Sequence, residues 1–138
     1  MFPVNLDISG ALRGIPYHDG QLEGVLVHDK TVYLGLRSTS GVRRILLLHD
    51  VMDLCLDGFR QGNIVLDIRV LSAAQAKRDD AVRAMVSEKL FRALESMDQE
   101  VRVFLLESSY GAEVVALCRA VEASEPGTGL GLQANEGA

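Results

Sequence analysis

In three separate runs between Thr31 and Val70, apolar residues return at every second position. A period of two is the signature of a strand that buries one face. Across residues 31–37, Val32, Leu34 and Leu36 share one face, and Tyr33, Gly35 and Arg37 share the other. Across residues 51–57, Met52, Leu54 and Leu56 oppose Asp53, Cys55 and Asp57. Ile64, Leu66, Ile68 and Val70 then alternate against Asp67 and Arg69. This much alternation commits the chain to an antiparallel sheet with one apolar face.

The residues between the runs are those that tight turns require. Residues 22–27 are rich in Val and Leu, and His28-Asp29-Lys30 separates them from Thr31, so the two runs form a hairpin. Ser38-Thr39-Ser40-Gly41 is a second turn, and residues 42–48 are a third strand. Its second half, Ile45 to Leu48, is apolar on both faces and needs cover on both sides. Residues 58–63 join residues 51–57 to residues 64–70 as a further hairpin. Pairing Asp53 with Asp67 would oppose like charges. A slip of two residues keeps both faces and sets Asp53 against Arg69, which is the favoured register. Upstream, a strand is expected near residues 4–8, and Leu6, Ile8, Leu12 and Ile15 are available for packing.

After residue 71 the period changes. Ser72 and Gln75 have the spacing of a capping box. Val82, Met85, Val86, Leu90, Ala93 and Leu94 then make an apolar stripe in a segment without Gly or Pro, which predicts one long amphipathic helix over about residues 73–96. Residues 101–107 read as a strand, and Ser108 to Gly111 as a turn. Residues 112–122 fit either a strand or a helix, and the tight turn favours the strand.

The expected fold class is therefore α+β: a twisted antiparallel sheet of about six or seven strands with one long helix on one face. A single domain over residues 1–123 is followed by a flexible Gly-rich tail over residues 124–138. One helix covers about 10 Å of width, less than half of such a sheet, so apolar sheet should remain for the first twenty residues or a second copy of the chain to cover.

Composition narrows the classes of function. The chain has 138 residues, 48% of them apolar, and 14 basic against 19 acidic side chains give a net charge of −5. That length and balance suit one globular domain. An acidic chain with no Trp and few aromatics is poorly suited to nucleic acid or to an anionic membrane surface. Asp7 interrupts the short apolar pattern at the N-terminus, and no run approaches the roughly 20 residues that span a bilayer, so a cytoplasmic protein is expected. Cys55 and Cys118 match no metal spacing and read as reduced thiols.

Five groups of residues carry chemistry worth locating. Each histidine precedes an aspartate: His18-Asp19, His28-Asp29 and His49-Asp50. Strand order returns His49 to the sheet edge that holds His28, so His28, Asp29, His49 and Asp50 are the candidate metal ligands, set against a purely local role for Asp in turns. Asp53, Asp57 and Asp67 form an acidic set on one expected sheet face. Ser38, Ser40, Ser108 and Ser109 sit in turns, without the elbow of a nucleophilic serine. Arg37, Arg43 and Arg44 flank one turn and form a candidate binding patch for an acidic partner. Finally, Gly127-Thr128-Gly129-Leu130-Gly131-Leu132 resembles the second glycine box of histidine-kinase ATP-binding domains over six residues. The other boxes of that family are missing from the chain, and no cofactor is expected.

These features favour a non-catalytic protein-binding or assembly module that works as a homodimer through its uncovered sheet. A small acidic inhibitor or immunity-type protein that captures a basic partner is the first alternative, because acidic surfaces steer basic ones. A metal-dependent enzyme built on the His/Asp cluster is the second.

Overall fold

Two segments, residues 103–106 and 114–118, are apolar at every position. Strands of that kind need neighbours on both edges and cover on both faces, and this requirement sets the topology. In the computed structural model, which describes residues 2–127, the strands are β1 (Phe2–Pro3), β2 (Asn5–Leu6), β3 (Leu12–Arg13), β4 (Gln21–His28), β5 (Thr31–Arg37), β6 (Arg43–His49), β7 (Asp53–Asp57), β8 (Asn63–Ser72), β9 (Arg102–Tyr110), β10 (Glu113–Cys118) and β11 (Ala120–Ala123). Three short helices, α1 (Ala73–Lys77), α2 (Asp80–Met85) and α3 (Glu88–Ala93), lie between β8 and β9.

Nine of these strands form one antiparallel sheet, in the order β1-β11-β6-β5-β4-β8-β9-β10-β7. Only Arg119 separates β10, near one end of that order, from β11, near the other. The two are halves of one bent strand. β6 and β7 are likewise two halves of one segment, paired with β11 at His49↔Ala120 and with β10 at Asp53↔Leu117. The sheet therefore curls until it closes on itself as a barrel. Its interior is a single apolar cluster that includes Leu22, Leu34, Leu46, Ile68, Phe104 and Ala116.

The β4–β5 and β5–β6 hairpins form as the sequence predicts, with Val32, Leu34 and Leu36 in the interior. Leu46 and Leu48 also face the interior, while Ile45 and Leu47 are buried on the outer side, beside Gly35 and Tyr33 in register. Residues 112–122 are strand, as the tight turn suggested. The N-terminal segment lies along β8, where Ala11 bridges Arg69 and Gly10 accepts from Val70 N. Gly10 has φ +86°, and a Cβ there would stand 2.7 Å from Val70 O, so only glycine fits that approach.

Three expectations are corrected. First, the fold is mostly strand rather than the expected α+β arrangement, and the sheet has nine strands rather than six or seven: β1 joins it at the N-terminus, and the segment read as one strand over residues 112–122 bends at Arg119 into β10 and β11. Second, β7 and β8 do not pair, and Asp53 does not face Arg69. The β9–β10 hairpin stands between them: β7 pairs with β10, and β8 pairs with β9. The doubly apolar hairpin takes the central position, and residues 58–62 arch over its turn. Register slips between Ile64 and Asp67 also change the phase of β8, so Val65 is buried while Leu66 is 42% exposed.

Third, the single long helix is three short ones. The capping box at Ser72 and Gln75 forms as read. The helix then stops, because Asp79 accepts from Ala81 N and Val82 N and starts α2 afresh. Ser87 does the same for α3 by accepting from Leu90 N. The stripe still packs on the sheet, with Val82 and Leu94 buried and the rest partly so. Val82, Met85, Val86, Leu90 and Leu94 pack with Leu71, Val103, Leu105, Val115 and Leu117 on the outer face of β8, β9 and β10. No helix among the described residues is long and apolar enough to cross a membrane.

Candidate functional site

β7 is the terminal strand of the sheet. It pairs with β10 along one edge, and its other edge pairs with no strand among the described residues. Leu54 and Leu56 share the face of Ala116 and Val114, whereas Asp53, Cys55 and Asp57 share the face of Leu117, Val115 and Glu113. Asp57 and Glu113 stand directly opposite one another, a like-charge pair that weakens the ladder. None of Asp53, Asp57 and Glu113 makes an ion pair or side-chain hydrogen bond with a described residue. Leu56 and Phe59 are exposed beside them. The result is a row of unpaired backbone groups, apolar on one side and acidic on the other.

The edge is held by the arch that follows it. Asn63 is 1% exposed. Its Oδ1 accepts from Arg60 N at 2.7 Å and from Ala112 N at 3.0 Å, and its Nδ2 donates to Leu22 O at 3.2 Å. One side chain thus ties the arch, the β9–β10 turn and β4 together. Gly111, at the top of that turn, has φ +88°, and a Cβ on it would overlap the Asn63 side chain.

The acidic set is split. Asp53 and Asp57 lie on β7, but Asp67 lies on β8, where Tyr17 Oη donates to it at 3.1 Å. Arg69, expected opposite Asp53, instead pairs with Asp79 and Glu107, with Nη2 at 3.0 Å from Asp79 Oδ1 and 3.2 Å from Glu107 Oε1. Hydrogen bonding from Arg69 holds the Asp79 carboxyl below the ordinary carboxylate range. This network ties α2 to the outer face of the barrel.

The strand order does bring His28 and His49 to the same end of β4 and β6, with β5 between them. Each has a partner of its own. His28 Nδ1 lies 3.6 Å from Asp29, and His49 Nε2 lies 2.6 Å from Glu122 Oε1 on β11. Asp50 follows His49 in the bend before β7. Among the described residues, no group of three or more His, Cys, Asp or Glu side chains is placed to hold a metal ion. Asp19, Asp29 and Asp50 all have positive φ, at 62°, 53° and 52°. Aspartate tolerates that conformation better than most residues, so the recurring His-Asp pairs mark three turns.

The arginine patch also divides. Arg43 Nε is 2.9 Å from Glu23 Oε1. Arg37 and Arg44 line a cavity at the Arg43 end of the barrel. Ser38 is used within its turn, accepting from Val42 N at 3.1 Å, and Ser108 Oγ donates to Gly111 O at 3.0 Å. Cys118 faces the barrel interior, and burial pushes its thiol up to about 12, so it stays protonated. Cys55 is exposed on β7.

Of the expected tail, residues 124–127 are described, and they continue beside β6. Ser124 N donates to Ile45 O at 2.9 Å, and Gly127 N donates to Arg43 O at 2.7 Å. Except for Gly127, the glycine-box resemblance lies outside the described residues. Comparison of the chain with protein-family models, curated proteins and solved structures finds no match.

Proposed function

We propose that this chain is a non-catalytic protein-binding module that takes an extended basic segment of another protein as an added strand on β7. The observation that carries the reading is the free edge of β7, with Asp53, Asp57 and Glu113 uncompensated on one face. An added strand satisfies the open backbone groups, and alternate side chains set its specificity. A lysine opposite Asp53 and another opposite Asp57 would remove the like-charge conflict. Apolar residues between them would lie beside Leu54 and Leu56. The net charge of −5 steers a basic partner toward the chain.

A second copy of the same strand is a poorer occupant at neutral pH. The segment Asp53-Leu54-Cys55-Leu56-Asp57 reads the same in both directions. Antiparallel self-pairing centred on Cys55 would set Asp53 against the partner's Asp57 at both ends. Closure of the barrel also turns one apolar sheet face inward among the described residues, which leaves less of it for a second copy to cover.

The test is fluorescence anisotropy with a labelled, end-capped peptide containing Lys-Val-Thr-Val-Lys, against the same peptide with Glu in place of Lys. The basic peptide should bind saturably at low salt. Its affinity should fall steeply with added salt and in the Asp53→Asn, Asp57→Asn double variant. Equal binding of both peptides, or binding that ignores the double substitution, overturns the reading.

A further inference from the structure

At the opposite end of the β6–β7 segment from the free edge, the barrel opens into a cavity of about 250 Å³. Its wall is mostly apolar: Ile15, Tyr17, Leu36 and Val42 contribute, with Pro126 beside them. Arg44 pairs with Leu36 in register and stands on the interior face that Leu46 and Leu48 continue. It is half-buried. Arg37 lines the same cavity from the end of β5. Three arginines lie at this end, Arg44 on the interior face and Arg37 opposite Arg43 on the other, and their charges are treated differently. Arg43 has Glu23 beside it, whereas Arg37 and Arg44 make no ion pair or hydrogen bond through their side chains with a described residue. A guanidinium drawn partly out of water without a counter-charge is unfavourable, and a bound anion relieves that.

We infer that this cavity binds a small monoanionic amphiphile, its charged head on the Arg44 guanidinium, with Arg37 adding positive charge from the end of β5, and its apolar body along Leu36, Ile15 and Tyr17. The guanidinium fork matches a carboxylate in two parallel hydrogen bonds. A cavity of about 150 Å³ suffices for benzene, so the space here accepts a longer chain or a two-ring body. An apolar lining with a few convergent polar groups is the usual composition of a small-ligand site. This site is independent of the strand-addition reading, because it shares no residue with β7.

Isothermal titration of the full chain with octanoate, octanol and octylamine tests the assignment. Octanoate should bind one to one, octanol roughly tenfold or more weakly, and octylamine not at all. Arg44→Gln should weaken octanoate roughly tenfold and leave octanol unchanged. Arg37→Gln, at an exposed position that does not threaten folding, should weaken octanoate by a smaller factor. Val42→Trp, also at an exposed position, should weaken both ligands by filling the cavity. Equal affinities for octanoate and octanol, unchanged octanoate binding in both arginine variants, or no saturable octanoate binding would overturn the proposal.

Discussion

Asn63 is the side chain on which the arch over the β9–β10 turn depends. Asn63→Ala would leave Ala112 N and Leu22 O without their partner, and each buried polar group left unpaired costs about 1–3 kcal/mol; the part-buried bond from Arg60 N is lost as well. A loss of about 2–4 kcal/mol in denaturant unfolding is expected. Gly111→Ala should destabilise by about 1–3 kcal/mol, since it combines a positive φ with overlap on Asn63. Asp79 does two tasks, capping α2 and pairing with Arg69. Its folded-state pKa lies below the unfolded value, so its contribution is full above the ordinary carboxylate pKa of about 4 and is lost as the pH falls. Stability measured against pH should therefore drop below about pH 4, and the drop should be shallower in Asp79→Asn. At this scale the sequence was partly legible. The Ser72–Gln75 capping box was readable because its spacing is local. The role of Asn63 was not, because its partners lie three, forty-one and forty-nine residues away.

The elements were legible wherever the pattern was local, and were misread where a choice between partners decided the outcome. Alternation placed β5 and its hairpins with β4 and β6 correctly. It could not show that β9 and β10 would stand between β7 and β8, because adjacent strands with a short connection usually pair. A signal was present: both strands of the β9–β10 hairpin are apolar on both faces, which marks a central position. The helical stripe was read correctly and its continuity was not. Asp79 and Ser87 are cap-forming residues followed by Asp80 and Glu88, and that pairing of cap and acidic first turn is a start signal within the stripe. Ser87→Ala should cost about 1 kcal/mol in thermal unfolding, with the loss confined to α3 in amide-exchange measurements. Far-ultraviolet circular dichroism of the variant should change little, because α3 is only six residues long.

For the whole molecule, closure of the barrel and the open edge of β7 have separate consequences. A closed barrel satisfies its own apolar face, so the chain should run as a monomer of 15.0 kDa in light scattering at neutral pH. The Asp53→Asn, Asp57→Asn double variant removes the charges that keep β7 from pairing with itself. It should gain a concentration-dependent dimer as it loses the basic peptide. The central claim is that β7 has one satisfied edge and one open edge, and that the open edge takes a basic strand. Residue-resolved amide hydrogen exchange across Asp53–Asp57 tests this most directly. Without peptide, protection should alternate: amides directed at β10 should be slow, and those on the other edge fast. With the Lys-Val-Thr-Val-Lys peptide bound, the fast set should become protected while the slow set stays as it was. Uniform protection of β7 in the free chain, or peptide-induced protection elsewhere with β7 unchanged, would contradict the account.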